Sequence, residues 1–181
     1  MINCNWYTWT NEVKSLKEIN KIIEKNAVTF EEDIKKAPYS TKTSMVKYID
    51  YFYLKKFLEP YIVKALSVNS DYFGYNLFNI SPTKVLNINY YSINKKYEWH
   101  TDASDNPVND IKLTLLINIS EKNYEGGEFQ VFKSEHPETI THFSKGGDMI
   151  LLNPSVLHRV NAVTKGVRKT ITIFLEGPKF V

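Results

Sequence analysis

Cysteine is almost absent from this 181-residue chain, with Cys4 the only one. No internal disulfide can form, which excludes a cross-linked secreted scaffold and points to a reducing compartment, the cytoplasm. A lone thiol there reads as a buried or surface side chain rather than a nucleophile. Arginine is nearly as scarce: Arg159 and Arg168 are the only two among 23 basic residues. Lysine is the default cation, so each arginine marks a place where a planar, two-pronged donor is of use. No apolar run is long enough to span a membrane. Met1 to Thr10 is polar and aromatic rather than basic and then apolar, so no secretory leader is expected. A net charge of +3 and a sequence pI of about 8.7 are too mild and too scattered to argue for a nucleic-acid partner. Nor does the chain offer a clear pair of carboxylates for acid–base catalysis.

What is present suits one domain, 1–181, with a sizeable core. Twelve tyrosines and ten phenylalanines favour strands. Ser15, Leu16, Lys17 and Glu18 have the form of a capping box. Leu16, Ile19, Ile22 and Ile23 follow at helical spacing, so Leu16 to Lys25 is predicted as an amphipathic helix. Residues 26–48, with Pro38, are predicted as loop or a short strand. A second helical stripe runs from Leu54 to Leu66, either beginning near Pro60 or kinking there. From residue 72 the character changes. Residues 73–78, 84–91, 111–119, 128–132, 139–143, 148–152 and 167–175 read as strands, separated by turn signals such as Gly126-Gly127 and Asn153-Pro154. The expected fold is mainly β: a barrel or sandwich over about 71–181 under a helical cover over about 1–70.

The chemistry concentrates in His100, Asp102 and His158. Two imidazoles and one carboxylate form the donor set of a mononuclear non-heme iron(II) site with open positions; they would also take manganese, cobalt or zinc. Residues two apart on a strand face the same side, so His100 and Asp102 project together while Trp99 and Thr101 face away. His158, 56 residues after Asp102, meets them across a rolled sheet. Arg168 shares one face of the last strand with Thr170, Thr172 and Phe174, whereas Lys169, Ile171, Ile173 and Leu175 share the other. Arg168 can hold a carboxylate through paired hydrogen bonds, and Thr170 can add a hydroxyl. A metal site plus a carboxylate anchor reads as an oxygenase that takes 2-oxoglutarate as co-substrate. Tyr90, Tyr91 and Tyr97 offer phenols near the pocket, with core packing as the alternative for each and the favoured one for Tyr91. His136, in a polar loop, and His142, in a strand without a partner carboxylate, are read as structural.

These residues resemble the prolyl-4-hydroxylase-like branch of the iron(II)/2-oxoglutarate dioxygenases. The resemblance runs from about Trp6 to Phe180. It is strongest at residues 97–102 (YEWHTD), 124–129 (YEGGEF), 145–148 (KGGD), 154–160 (PSVLHRV) and 166–170 (GVRKT). It implies a double-stranded β-helix, or jelly-roll, core and iron ligation by His100, Asp102 and His158. It implies that Arg168 and Thr170 hold the far carboxylate of 2-oxoglutarate, helped by Tyr90. Leu116 stands where some members carry another co-substrate tyrosine, so this chain departs from the pattern there. Iron(II), 2-oxoglutarate and O2 are the implied cofactors and co-substrates, with ascorbate as reductant. The implied reaction hydroxylates an unactivated C–H bond and releases succinate and carbon dioxide.

The substrate is ranked by class. A prolyl or other residue of a peptide or protein comes first, and a free amino acid or other small molecule second. A nucleic-acid demethylase comes third, since the chain lacks an arginine-rich groove. Two rival readings are a non-catalytic metal-binding barrel and a zinc hydrolase on the same ligands, which would need a general base beside the metal. Residues 26–48, 103–110 and 121–128 are expected to line the mouth.

Overall fold

The computed structural model describes residues 5–29, 41–103 and 108–179. Strand β1 is Trp6–Trp9 and helix α1 is Leu16–Asn26. Ser15 stands at the N-cap of α1, but its hydroxyl makes no capping bond, so the expected capping box does not form. Strand β2, Met45–Asp50, leads directly into helix α2, Tyr51–Val68. The second helix therefore neither begins at Pro60 nor ends there. The missing N–H costs the helix a bond, on the order of 3 kcal/mol in an exposed helix. Leu54 and Leu58 before the proline and Ile62 and Ala65 after it all pack into one core, which offsets that cost. A π-helical turn, Asn69–Phe73, follows, and Gly74 in the left-handed region ends it.

The remaining strands are β3 (Val85–Tyr91), β4 (Tyr97–His100), β5 (Asn109–Asn118), β6 (Glu125–Gly126), β7 (Phe129–Lys133), β8 (His136–Thr139), β9 (Met149–Leu152), β10 (His158–Val160), β11 (Val163–Lys165) and β12 (Arg168–Pro178). Four of these join β1 and β2 in a six-stranded major sheet of order β1-β9-β5-β12-β3-β2; β4-β10-β7-β8 form a minor sheet, and β11 pairs with β6. The named strand pairs are antiparallel, as in a jelly roll.

Two expectations need correcting. Residues 73–78 are not a strand: Phe73, Tyr75 and Leu77 pack against the helix-side core instead of joining a ladder. The strand expected over 139–143 ends at Thr139, because Ile140 and Phe143 turn inward to fill the space between the sheets. The division into helical cover and β core is also less clean than the sequence suggests. Strands β1 and β2 precede residue 70, yet they form both edges of the major sheet.

The core has two layers. One lies between the major sheet and the helices and holds Ile19, Ile23, Leu54, Leu58, Ile88, Ile117 and Ile173. The other lies between the two sheets and holds Tyr91, Leu116, Phe129, Ile150 and Val160. Strands β5 and β9 serve both layers by alternation: Leu115 and Ile117 face the helices and Leu116 the minor sheet, as Met149 and Leu151 oppose Ile150 and Leu152. Among the described residues no helix is long and apolar enough to cross a membrane.

Candidate metal centre and carboxylate anchor

His100, Asp102 and His158 converge between the sheets, with their ligand atoms all within 4.8 Å of one another. His100 Nε2 lies 3.7 Å from Asp102 Oδ1, and His158 Nε2 lies 3.7 Å from Asp102 Oδ2. Donor atoms about 2.1 Å from a shared ion stand roughly 3–4 Å apart, so the gap accepts one. The two histidines sit opposite each other in the β4–β10 register. Asp102, however, does not lie on the strand. β4 ends at His100, and the Asp102 N–H donates to the Pro154 carbonyl at 2.9 Å. The carboxylate is thus aimed by the loop that precedes β10, not by strand alternation.

Both rings are oriented from behind. The Nδ1 of His100 donates to the Glu98 carbonyl and that of His158 to the Val156 carbonyl, each at 2.8 Å. With the proton fixed on Nδ1, each Nε2 presents a lone pair to the centre. Burial, and then His158 beside it, draws the His100 pKa down to about 4, so this imidazole is neutral and able to coordinate at physiological pH. Tyr97 stacks on His100 with ring centroids 3.4 Å apart, and Phe129 packs against His158 at 5.3 Å. Trp99 faces outward, against Phe132 and the Arg159 guanidinium. Arg159 is tied to Gln130 there, so the two arginines do different work.

Arg168 faces the same cavity from the major sheet. It is 1% exposed, and neither Nε nor Nη2 has a hydrogen-bond partner. The rings of Tyr91 and Phe143, at 5.5 and 5.3 Å from its central carbon, give partial compensation. An unpaired buried cation is costly, so this site calls for an anion. Gly127 has a positive φ, and a Cβ there would come within 3.1 Å of the Arg168 stem. The Gly126-Gly127 turn therefore closes behind the arginine rather than lining the mouth.

The cavity, about 140 Å³, is lined by the triad, by Arg168, Thr170, Thr172 and Phe174 of β12, by Asn87, Asn89 and Tyr91 of β3, and by Lys42, Tyr97, Leu116, Phe129 and Val160. The β12 faces divide as their alternation predicts. Tyr90, by contrast, points the other way, into the helix-side core, with Lys47 and Lys169 near its ring. The phenol that faces the cavity is Tyr91, directly opposite Arg168 in the β3–β12 register. Burial pushes its pKa up to about 12 against the pull of Arg168, so it stays protonated as a donor. The phase of β3 held the signal: Leu86 and Ile88 alternate with Asn87 and Asn89, which places residue 91 on the polar face.

Asn87 and Asn89 were not assigned a role from sequence, and Lys42 was covered only as part of the 26–48 segment expected at the mouth. Lys42 enters because residues 41–43 run beside β4, where Lys42 pairs with Tyr97. Residues 30–40 and 104–107, which carry other parts of the expected mouth, lie outside the described residues. His136 and His142 are exposed and neither lines the cavity; His136 lies on β8 rather than in a loop, and His142 in the turn after it rather than in a strand. The motif at 145–148 is architectural: the Asp148 carboxylate accepts backbone N–H bonds from Asn11, Ser144 and Lys145.

The chain is similar to several known hydroxylases and oxygenases. A PKHD-type hydroxylase of Psychrobacter sp. is 33% identical over 85 residues, 47% of this chain and 32% of the relative. Another, from Pseudoalteromonas atlantica, is 30% identical over 125 residues, 64% of this chain and 52% of the relative. The matches thus span about a third and a half of those relatives' lengths. A prolyl-4-hydroxylase of Pseudomonas putida shares the fold with a TM-score of 0.72 at 12% identity, over 98% of this chain and 95% of that one. The family model of the 2OG-Fe(II) oxygenase superfamily matches residues 86–176, about half of the chain, and takes in every residue that lines the cavity except Lys42. The chain belongs to the 2OG-Fe(II) oxygenase superfamily.

Proposed function

We propose that this chain is an iron(II)- and 2-oxoglutarate-dependent dioxygenase that hydroxylates a C–H bond of a peptide residue, prolyl or other. The superfamily implies iron(II), 2-oxoglutarate and O2. The observation that carries the reading is a buried guanidinium with unused donors facing a triad of metal-ligand type across one cavity. A diacid is the ligand that uses both ends.

In this reading His100, Asp102 and His158 hold the ion from one side and leave its other side open. Arg168 pairs with the far carboxylate of 2-oxoglutarate, and Thr170 and Tyr91 add hydroxyl donors. Tyr91 takes the part the family pattern suggested for Tyr90. Leu116 and Phe129 wall the co-substrate with apolar surface and keep water from it. Bound iron supplies the redox chemistry by which O2 attacks an unactivated C–H bond. One oxygen atom enters succinate as 2-oxoglutarate loses carbon dioxide, and the other enters the new C–OH. The two electrons from the co-substrate and the two from the C–H bond together reduce O2. No protein acid or base is required. Among the described residues no carboxylate outside the triad lines the cavity, which disfavours a zinc hydrolase.

A peptide substrate is favoured because the Pseudomonas putida neighbour is a prolyl-4-hydroxylase. The test is succinate formation from 2-oxoglutarate by the iron-loaded protein with ascorbate, alongside mass spectrometry of a treated cell extract for a gain of one oxygen. His100→Ala is expected to reduce succinate to background. Succinate formation equal to wild type in that variant would contradict the proposal.

A further inference from the structure

The cavity is lined over a greater length than a five-carbon diacid covers, and it holds a buried acceptor that the diacid cannot use. Cavity-facing residues on β12 come every second position, about 6.7 Å per step, so Phe174 lies roughly 20 Å along the strand from Arg168. An extended five-carbon diacid spans only about 7 Å. Beyond Arg168 and Tyr91, the next pairs across the β12–β3 register are Thr170 with Asn89 and Thr172 with Asn87. Asn89 is 3% exposed. Its Nδ2 donates to Thr172 Oγ1 at 3.0 Å, and its Oδ1 has no partner.

2-Oxoglutarate carries two carboxylates and a keto group, all acceptors at neutral pH. It cannot satisfy a buried amide oxygen. The group that does must bring an N–H or O–H. Thr172, having accepted from Asn89, keeps its own proton to donate. Lys42, at the rim with its Nζ 4.9 Å from the Tyr97 ring centre, disfavours a cationic donor. What fits is a neutral group that both donates and accepts, namely a primary amide or a hydroxyl. The proline ring within a peptide has no N–H and offers nothing to Asn89.

We propose that Asn89, with Thr172 and Asn87, forms a specificity subsite that selects a substrate side chain bearing a neutral amide or hydroxyl over a proline ring. This rests on the oxygenase reading and narrows it. The test uses the full chain loaded with Mn(II) and N-oxalylglycine, an unreactive analogue of 2-oxoglutarate. Calorimetry reads the binding of short blocked peptides that differ at one central position: asparagine, glutamine, serine or proline. Free asparagine and glutamine form a second arm, which separates a peptide from a small-molecule source of the same chemistry. The amide or hydroxyl ligands are expected to bind about tenfold tighter than the proline peptide. Asn89→Leu, similar in volume but without polar atoms, brings that ratio close to one; Thr172→Val lowers it part-way and serves if the first variant fails to fold. The ratio is read within each variant, so a general loss of affinity cancels. A proline peptide that binds as well as the others, or a ratio unmoved by both substitutions, overturns the subsite. Failure of N-oxalylglycine itself to bind the Mn(II)-loaded protein overturns the oxygenase reading instead.

Discussion

The two faces of β12 and β3 are both largely buried and chemically opposite. Toward the helices stand Ile171, Ile173, Leu86 and Ile88, each filled against other apolar side chains. Toward the minor sheet stand Arg168, Thr170, Thr172, Asn87 and Asn89, a polar row enclosed by protein. Apolar burial stabilises the first face at about 25 cal/mol per Å² of surface removed from water. The second face costs stability, since Arg168 and Asn89 keep unmet polar atoms. One strand pair therefore carries stability on one side and ligand recognition on the other, and period-two geometry keeps them apart.

Substitutions on the two faces are expected to give crossed results. Arg168→Met should weaken 2-oxoglutarate binding by roughly 2–5 kcal/mol, as for loss of a buried charge pair. In the ligand-free protein it should leave the melting temperature unchanged or raise it, because an unpaired buried charge is removed. Calorimetric titration and thermal unfolding check the two halves; a large drop in stability without loss of affinity would break the contrast. Ile173→Ala should do the reverse. It should cost about 2–5 kcal/mol of stability through the cavity it leaves, while co-substrate affinity measured well below the transition stays near wild type. Chemical denaturation reads that loss. A finer comparison uses the adjacent tyrosines. Tyr91→Phe should weaken 2-oxoglutarate by about 0.5–1.5 kcal/mol, the worth of one hydrogen bond, and Tyr90→Phe should leave it unchanged. Equal effects from the two would mean that facing the cavity is not what matters.

The contrast between faces was legible in the sequence of β12, where polar and apolar residues alternate from Thr170 to Ile173. The spacing of His100, Asp102 and His158 marked the ligand set for a similar reason, since few residue types can do that work. What the sequence concealed depends on contacts distant along the chain. Asp102 is aimed by a bond to Pro154, not by a strand period. The phase between His100 and the tyrosines is broken by the turn after Tyr91, so counting back from the histidine favours Tyr90, on the wrong face. Helix α2 runs through Pro60 because the core beneath it outweighs the local cost, and local propensity carries no record of that core. Lys42 reaches the cavity through a pairing of residues 41–43 with β4, more than fifty positions away in the chain.

The central claim is that three side chains hold one metal and present it to a diacid anchored by Arg168. Anaerobic addition of iron(II) and then 2-oxoglutarate, followed by visible absorption, tests it most directly. A weak charge-transfer band is expected in the wild-type protein and should vanish in His100→Ala and in Asp102→Ala. A band that persists in both variants would contradict the assignment.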